Sequence, residues 1–566
     1  MAKLEKILID KYRSIDHVEL HFPENAPLVL TGENNAGKSN VIKAIDLVLG
    51  EFWPSNHEPD DHEFYLRNPN QRIYIEASFS EPLGRYYKIF WEYDPANTSS
   101  RILFRGLDEY DQAKYISNED RAGLVCITIS ADRRLAYQLS YASKYTMLSK
   151  LMHRFHQAME TKTDIKTGLE SKFRETKELF QQIDEFKSFR DSLRDDLSDL
   201  VSTITHKLYV DFEAYNPTNF FHALRLQAAE KGEPRTLEEL GTGEEQILAI
   251  SFAHAYAKAF HGGILLAIEE PEAHLHPLAQ EWLARKIKTM ASDGLQIIIA
   301  THNPSFIDIL NLDGLVLVKK EEESGTQAIQ LTTREFTKYC TKHGAPANSV
   351  LPENILDFYQ TNASKEILEG FFAKKIVLVE GPTESLALPI YLRRLGLDVE
   401  REGIAVIPVH GKGNLAKWWR MFTAYGIPTY VIFDNDPEHD NSGAKRRDIL
   451  QTMGESDIVV VISKEELYIK DHYAVFGRDF EACLRNLFSC YNYKSLEEEA
   501  GDFIPPGAKP FTARYVAKKI CATCDPEEKP WDEFRELVKM INCCTASSVS
   551  QQQKQKRVNQ DEELPF

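Results

Sequence analysis

Residues 374–384 read KKIVLVEGPTE, residues 404–414 read IAVIPVHGKGN and residues 428–438 read PTYVIFDNDPE. Each is a short apolar run of strand length followed by Gly, Pro or Asn, and two of them end in carboxylates: Glu380 after the first, Asp434 and Asp436 after the third. Helical spacing fills the intervals, so the stretch predicts an α/β unit with a mainly parallel sheet. The expected strands cover 376–379, 405–409, 430–433 and 458–462. Acidic groups at the carboxyl ends of parallel strands lie where open α/β sheets place their ligands, and clustered carboxylates are how a protein holds Mg²⁺ or Mn²⁺. Glu384, about one helical turn past Glu380, extends the set. Asp479 and Glu481 in RDFEACL offer a further acidic pair.

The same chain begins with a strand, a turn and a strand over residues 3–30, then Gly32-Glu-Asn-Asn35-Ala-Gly37-Lys38-Ser39-Asn40 and a helix. This is the full phosphate-loop pattern in its required context of strand, loop and helix. Gly32, Asn35 and Gly37 shape the loop, its amides approach phosphate, Lys38 offsets charge on the β- and γ-phosphates, and the Ser39 hydroxyl can bind Mg²⁺. Far downstream ILLAIEEPEAHLHP places Glu269 and Glu270 at the end of an apolar strand. The first would support Mg²⁺ through water and the second would polarise the attacking water. His302, in Thr301-His302-Asn303 after the strand IIIA, falls where a γ-phosphate sensor would sit, and Arg133 or Arg134 is a further candidate for nucleotide contact. ATP is therefore the expected nucleotide.

At 566 residues the chain is too long for one ordinary core. Its formal charge of −19 argues against a surface coated for nonspecific DNA binding. It leaves room for a basic groove, with Arg393, Arg394, Lys412, Lys417, Arg420, Lys445, Arg446 and Arg447 as candidates. No apolar run is long enough for a membrane span and the start lacks a signal-peptide core, so no membrane association and a cytoplasmic location are expected. The eight cysteines are expected to stay reduced. Cys521 and Cys524, with Cys543 and Cys544, could complete a zinc site, against the plainer reading of partly buried thiols.

The expected organisation is an ATPase part over 1–140, a helical insertion over 141–206 that offers a dimerisation surface, a second ATPase part over 207–333, a linker over 334–372, the metal-dependent unit over 373–544 and a disordered tail over 545–566. The insertion carries an apolar stripe including Phe180, Ile183, Phe186, Phe189 and Leu193. The stretch LVLVKKEEESGTQAIQLTT reads as a hairpin.

Leu240-Gly-Thr-Gly243-Glu-Glu-Gln resembles the signature motif of ABC-type ATPases in the branch of SMC, Rad50 and RecF proteins, which implies head-to-head pairing with Gly243 near the nucleotide of a partner. Here the hydroxyl of Thr242 is displaced, and Glu269 replaces the usual aspartate. The second unit resembles a TOPRIM domain, on Glu380, Asp434 and Asp436. An ABC head interrupted by helices and followed by TOPRIM resembles the OLD (overcoming lysogenisation defect) family of ATP-dependent nucleases, whose members include the nuclease component of the Gabija anti-phage system, which works with a separate UvrD-like helicase. The resemblance implies a late lysine that stabilises phosphate charge, for which Lys509 in GAKPFTARYVAKKI is the first choice and Lys518 the second. It implies a homodimer or higher homo-oligomer that nicks or cuts DNA under nucleotide control. The alternative is a RecF- or SMC-like DNA-holding repair protein without nuclease activity, and the concentration of carboxylates beside a phosphate substrate argues against it.

Overall fold

The computed structural model describes residues 2–50, 52–121, 123–129, 182–200, 206–212, 224–230, 233–235, 263–321, 324–346, 350–352, 355–437, 440, 442–503, 505 and 508–545, with isolated positions over 171–178 and 243–254. Arg133, Arg134, Phe180, Leu240 to Thr242 and the expected tail from residue 546 lie outside the described residues, as does most of the expected helical insertion. The chain divides into two compact units. Met1–Leu30, Gly37–Phe306 and Lys320–Ala328 form the first, and Thr31–Ala36, Ile307–Lys319 and Ile329–Phe566 form the second.

In the first unit β1 (Leu4–Tyr12) alternates buried Ile7 and Ile9 with outward Lys6 and Asp10, the period of a half-buried strand. It pairs antiparallel with β2 (Ile15–His21). After β3 (Leu28–Thr31) the chain enters the helix Lys38–Leu49, which buries Val41, Ile42, Ile45, Val48 and Leu49 along one face. Strands β4 (Ile73–Leu83), β5 (Tyr86–Tyr93), β6 (Ile102–Leu107) and β7 (Ala113–Lys114) extend an antiparallel arm in the order β7-β6-β5-β4-β1-β2. Strand β8 (Leu124–Ile129) belongs instead to a parallel block. The helix Asp184–Leu200 directs Phe186, Phe189 and Leu193 into this unit's own core, among Leu266, Ile268 and Leu283. Three residues of the stripe offered for dimerisation are thus used internally. Strands β9 (His206–Phe212), β10 (Leu224–Glu230) and β11 (Glu233–Arg235) form a separate antiparallel sheet. Strands β12 (Gly263–Glu269) and β13 (Gln296–Ala300), on either side of the helix Pro277–Ser292, complete the parallel block in the order β3-β13-β12-β8. The expected hairpin segments form strands β14 (Leu315–Glu321), most of which belongs to the second unit, and β15 (Gly325–Gln330), most of which belongs to the first and meets β2 at Thr326↔Ile15.

In the second unit β16 (Lys375–Val379), β17 (Ile404–Pro408) and β18 (Thr429–Asp434) are parallel, with β16 in the middle. Alternate residues face two separate cores. Ile376, Leu378, Val431 and Phe433 enter one, and Val377, Val379, Tyr430 and Ile432 the other. Burial on both faces explains why these strands read as unbroken apolar runs. The expected strand at 458–462 is instead a five-residue helix, Ile458–Ile462, with Val459 and Val460 exposed. The place beside β18 is taken by β20 (Tyr473–Phe476), to which β19 (Tyr468–Ile469) adds an antiparallel edge. A short apolar run carries no periodicity that separates strand from buried helix, and here the later run made the sheet contacts. No described helix is long and apolar enough to cross a membrane.

Candidate active site

In the first unit Lys38 opens the helix Lys38–Leu49 and is buried, with Ser39 exposed and Asn40 half-buried behind it. Gly37 has φ 107°, and a Cβ there would stand 2.2 Å from the Thr326 hydroxyl and 2.9 Å from that of Ser14, so this position requires glycine. Those two hydroxyls are 2.7 Å apart, Asn40 Nδ2 donates to Ser14 Oγ at 2.7 Å, and the Thr326 amide donates to the Ser14 carbonyl at 2.7 Å. The first turn of the phosphate helix is therefore fastened to the β1–β2 turn and to β15. Asn40, the last residue of the phosphate-loop segment, makes this contact through its side chain. Sequence reading passed over Ser14 and Thr326.

Glu269 ends β12 beside Ala300 of β13. Glu270 follows with φ 49°, its amide donating to the Ala300 carbonyl at 2.8 Å. Glu272, also missed, accepts from Thr301 Oγ1 at 2.8 Å and from the His302 amide at 2.7 Å, which fixes the turn that presents His302. Burial, then the Lys38 ammonium, lower the His302 pKa, with Glu270 opposing, so the ring is neutral at pH 7. Burial raises the Glu272 pKa, and Glu270 adds to that. Gly243 is described, and a Cβ on it would meet the His274 carbonyl at 2.6 Å. Gly32 and Asn35 belong to the second unit's residues. Gly32 has φ 127° and no room for a Cβ, since the Val318 carbonyl would be 2.0 Å away, and Asn35 has φ 64°.

In the second unit the end of β16 delivers Glu380 and the end of β18 delivers Asp434. Glu380 Oε1 accepts from the Asp434 amide at 2.8 Å and lies 3.4 Å from Lys412 Nζ. Lys412 begins the helix Lys412–Ala424 after His410 and Gly411, whose φ values of 57° and 126° turn the chain sharply at the end of β17. Glu380 precedes the helix Pro382–Arg394 rather than sharing a helical face with Glu384. Glu384 caps that helix from its third position, accepting from the Gly381 amide at 3.1 Å. Asp436 follows through Asn435, its amide donating to the Arg478 carbonyl at 2.7 Å. Asp479 is spent on capping the helix Phe480–Leu487, accepting from the Ala482 amide at 2.6 Å. Glu481, in the first turn of that helix, acts on Glu384 through charge.

These carboxylates resist ionisation together. Burial, then Glu384 and Glu380, hold Asp434 well above the usual carboxylate range. Burial, then Glu380 and Glu481, push Glu384 to about 7. Burial and Asp436 raise Glu380 while Lys412 lowers it. Asp434 Oδ1 is buried and has no hydrogen-bond partner. An unpartnered carboxylate oxygen among oxygen-only donors suits a hard divalent cation. Among the described residues no group of three or more His, Cys, Asp or Glu side chains already stands in a metal-holding arrangement.

Several basic candidates are committed internally. Arg420 is buried against Asp448 and the His343 carbonyl, and Arg446 against Asp440. Lys412 serves Glu380, and Arg394 donates to the Cys524 carbonyl. Lys509 begins the helix Lys509–Thr523 and is exposed, as is Lys518. Cys521 and Cys524 sit by Arg394, whereas Cys544 sits by Lys375. Burial raises Cys521 to about 12 and both Cys524 and Cys544 to about 11, which favours the reading of buried thiols.

Residues 2–125 and 107–307 match the family described as an AAA ATPase domain, and residues 371–436 match the family described as an overcoming lysogenization defect protein-like TOPRIM domain. The chain is similar to the OLD nuclease of Thermus scotoductus, 26% identical over 460 residues that cover 76% of this chain and 82% of that protein. It is similar also to the Old nuclease of Escherichia phage P2, 21% identical over 507 residues that cover 80% of each. Among solved structures, the Smc head domain of Pyrococcus furiosus bound to the C-terminal domain of ScpA is 15% identical, with a TM-score of 0.40, covering 60% of this chain and 99% of that one. Through residues 2–307 the chain belongs to the AAA ATPase family, and this ATPase is followed by a TOPRIM domain of the OLD-like kind, the order of parts for which OLD nucleases are its relatives over most of its length.

Proposed function

We propose that the chain is a DNA endonuclease whose TOPRIM carboxylates hydrolyse phosphodiester bonds with a divalent metal, under control of ATP bound in the first unit. The observation that carries the reading is the convergence of Glu380, Glu384 and Asp434, with Asp434 Oδ1 buried and unpartnered. Relatives that cover most of the chain are named as nucleases. Glu380, Asp434 and Asp436 would hold the cation, Mg²⁺ or Mn²⁺, with Glu384 in support and Asp479 and Glu481 outside. Such an ion activates water and stabilises charge on the phosphate. Lys412 holds Glu380 in place without metal, and the exposed Lys509 is free to meet phosphate charge.

In the first unit Lys38 and Ser39 would contact ATP phosphates and Mg²⁺, Glu269 would support the ion, and Glu270 would orient water. The neutral His302 would donate one hydrogen bond to the γ-phosphate without adding charge. Pairing of two or more chains, an anti-phage role of the kind served by the Gabija nuclease, a separate UvrD-like helicase and a cytoplasmic setting complete the proposal on the strength of the family resemblance.

Plasmid cleavage with and without metal and ATP tests it, comparing the natural chain with Glu380→Ala and Lys38→Ala. Cutting lost in Glu380→Ala and ATP sensitivity lost in Lys38→Ala are the expected results. Binding of DNA without cutting under every metal and nucleotide condition would replace this reading with a DNA-holding clamp.

A further inference from the structure

The helix Lys509–Thr523 has two opposed faces. Ala513, Val516, Ala517 and Ile520 are buried. On the other side Phe511, Arg514, Tyr515 and Lys518 recur at the three- and four-residue spacing that makes one helical stripe. Phe511 is 59% exposed, and Phe503, also 59% exposed, packs edge-on to the Tyr515 ring at 4.9 Å. Lys509, Arg514 and Lys518 form no ion pair among the described residues, whereas the neighbouring Lys519 is paired with Glu499. In a chain of net charge −19, unpaired cations interleaved with exposed rings set this face apart.

The stripe also has a fixed place relative to the carboxylates. Cys521 Sγ lies 3.7 Å from the Ile390 carbonyl, and Arg394 donates to the Cys524 carbonyl at 2.9 Å. The helices Pro382–Arg394 and Lys509–Thr523 therefore run in the same direction. Counted back at about 1.5 Å per residue, Tyr515 is level with Glu384, and Phe511 and Lys509 project past it by about 6 and 9 Å, at the end where the carboxylates gather.

We propose that this stripe binds an unpaired DNA strand next to the cutting site, with Phe511 and Phe503 stacking on bases while Arg514 and Lys518 hold phosphates. The inference rests on the nuclease reading above and names the form of substrate it takes. Aromatic faces serve single strands because an unpaired base exposes its ring, whereas in a duplex the base faces are already stacked on their neighbours. Positive charge selects the polyanion over an apolar partner protein.

The test uses the full chain carrying Asp434→Asn, which prevents cutting, and a fluorescently labelled oligonucleotide as single strand and as duplex. Phe511→Ala should weaken single-strand binding by about ten-fold, the loss of one stacked base, with little change for the duplex. Phe511→Trp should restore it. Arg514→Ala should lower the salt dependence by about one unit of slope. Unchanged single-strand affinity in Phe511→Ala, equal losses for both DNA forms, or a change of sedimenting mass in place of affinity would overturn the stripe. The natural chain's plasmid cutting scores the nuclease reading separately. Cutting with no effect of Phe511→Ala on binding sinks the stripe alone, and stripe-dependent binding without cutting sinks the nuclease reading alone.

Discussion

Lys412 places its ammonium 3.4 Å from the Glu380 carboxylate, and both side chains are largely removed from water. Three acidic groups crowd this end of the sheet, and Lys412 lowers the pKa of both Glu380 and Asp434. Removing one partner of a buried pair leaves an uncompensated charge. Lys412→Met should therefore destabilise the metal-free protein by about 3 kcal/mol. Mg²⁺ should restore part of the loss, because a cation at the carboxylates replaces the missing charge. Thermal unfolding in chelator and in Mg²⁺ reads both effects, and an unchanged Tm in chelator would show that Lys412 is not the counter-charge of the cluster.

The contribution of Glu384 to the pH dependence of the metal-free protein has a definite sign. Glu384 rises from an ordinary 4.5 to about 7 in the fold, so the folded state holds its proton over a range where the unfolded chain has released it. A raised carboxyl pKa means that stability falls as pH rises from about 4.5 through about 7. Glu384→Gln should flatten this part of the stability profile in chelator. Retention of the full slope in that variant would assign the titration to other groups.

The strands were readable because their neighbours on both faces are apolar. β16, β17 and β18 each gave an unbroken run with a turn signal at its end, and the positions of Glu380 and Asp434 followed from where those runs stop. The run at 458–462 gave the same signal and became a helix, because the four residues Tyr473–Phe476 pair with β18 instead. Which strand neighbours which is decided by contacts far apart in sequence. Lys412 was visible as a cation, yet its assignment to Glu380 depends on the left-handed turn at His410 and Gly411. Ser14 and Thr326 are 312 positions apart and carry ordinary hydroxyls, so no spacing could have joined them.

The Ser14, Asn40 and Thr326 contacts predict an effect on nucleotide affinity without direct contact with nucleotide. Thr326→Val keeps the shape of the side chain and removes the hydroxyl, leaving Ser14 one partner short. A lost hydrogen bond of this kind is worth about 1 kcal/mol. If the network aligns the phosphate helix, ATP affinity should fall by about five-fold, with Thr326→Ser restoring it. Titration with a fluorescent ATP analogue measures this, alongside circular dichroism to confirm the fold. Equal affinity in Thr326→Val and the natural chain would reduce the network to a packing detail.

Glu63 braces the same turn from the other side. Its carboxylate accepts from Arg13 at 2.8 Å and from the Tyr12 hydroxyl at 2.9 Å and lies 2.7 Å from His57 Nε2, while the Arg13 amide donates to the Glu63 carbonyl at 2.8 Å. Arg13 itself has φ 54°, a conformation that a non-glycine residue keeps only when its surroundings enforce it. Burial raises the Glu63 pKa, but the bonds to His57, Arg13 and Tyr12 outweigh it and leave the group at about 2, below its ordinary 4.5. A depressed carboxyl pKa contributes stability that is complete above 4.5 and is lost as pH falls toward about 2. Glu63→Gln should therefore lower Tm at neutral pH, and the gap from the natural chain should close as the pH is lowered through that window. Because Ser14 follows Arg13 directly, the variant should also weaken ATP binding at neutral pH, whereas a variant that lost stability but kept full ATP affinity would separate the brace from the phosphate helix.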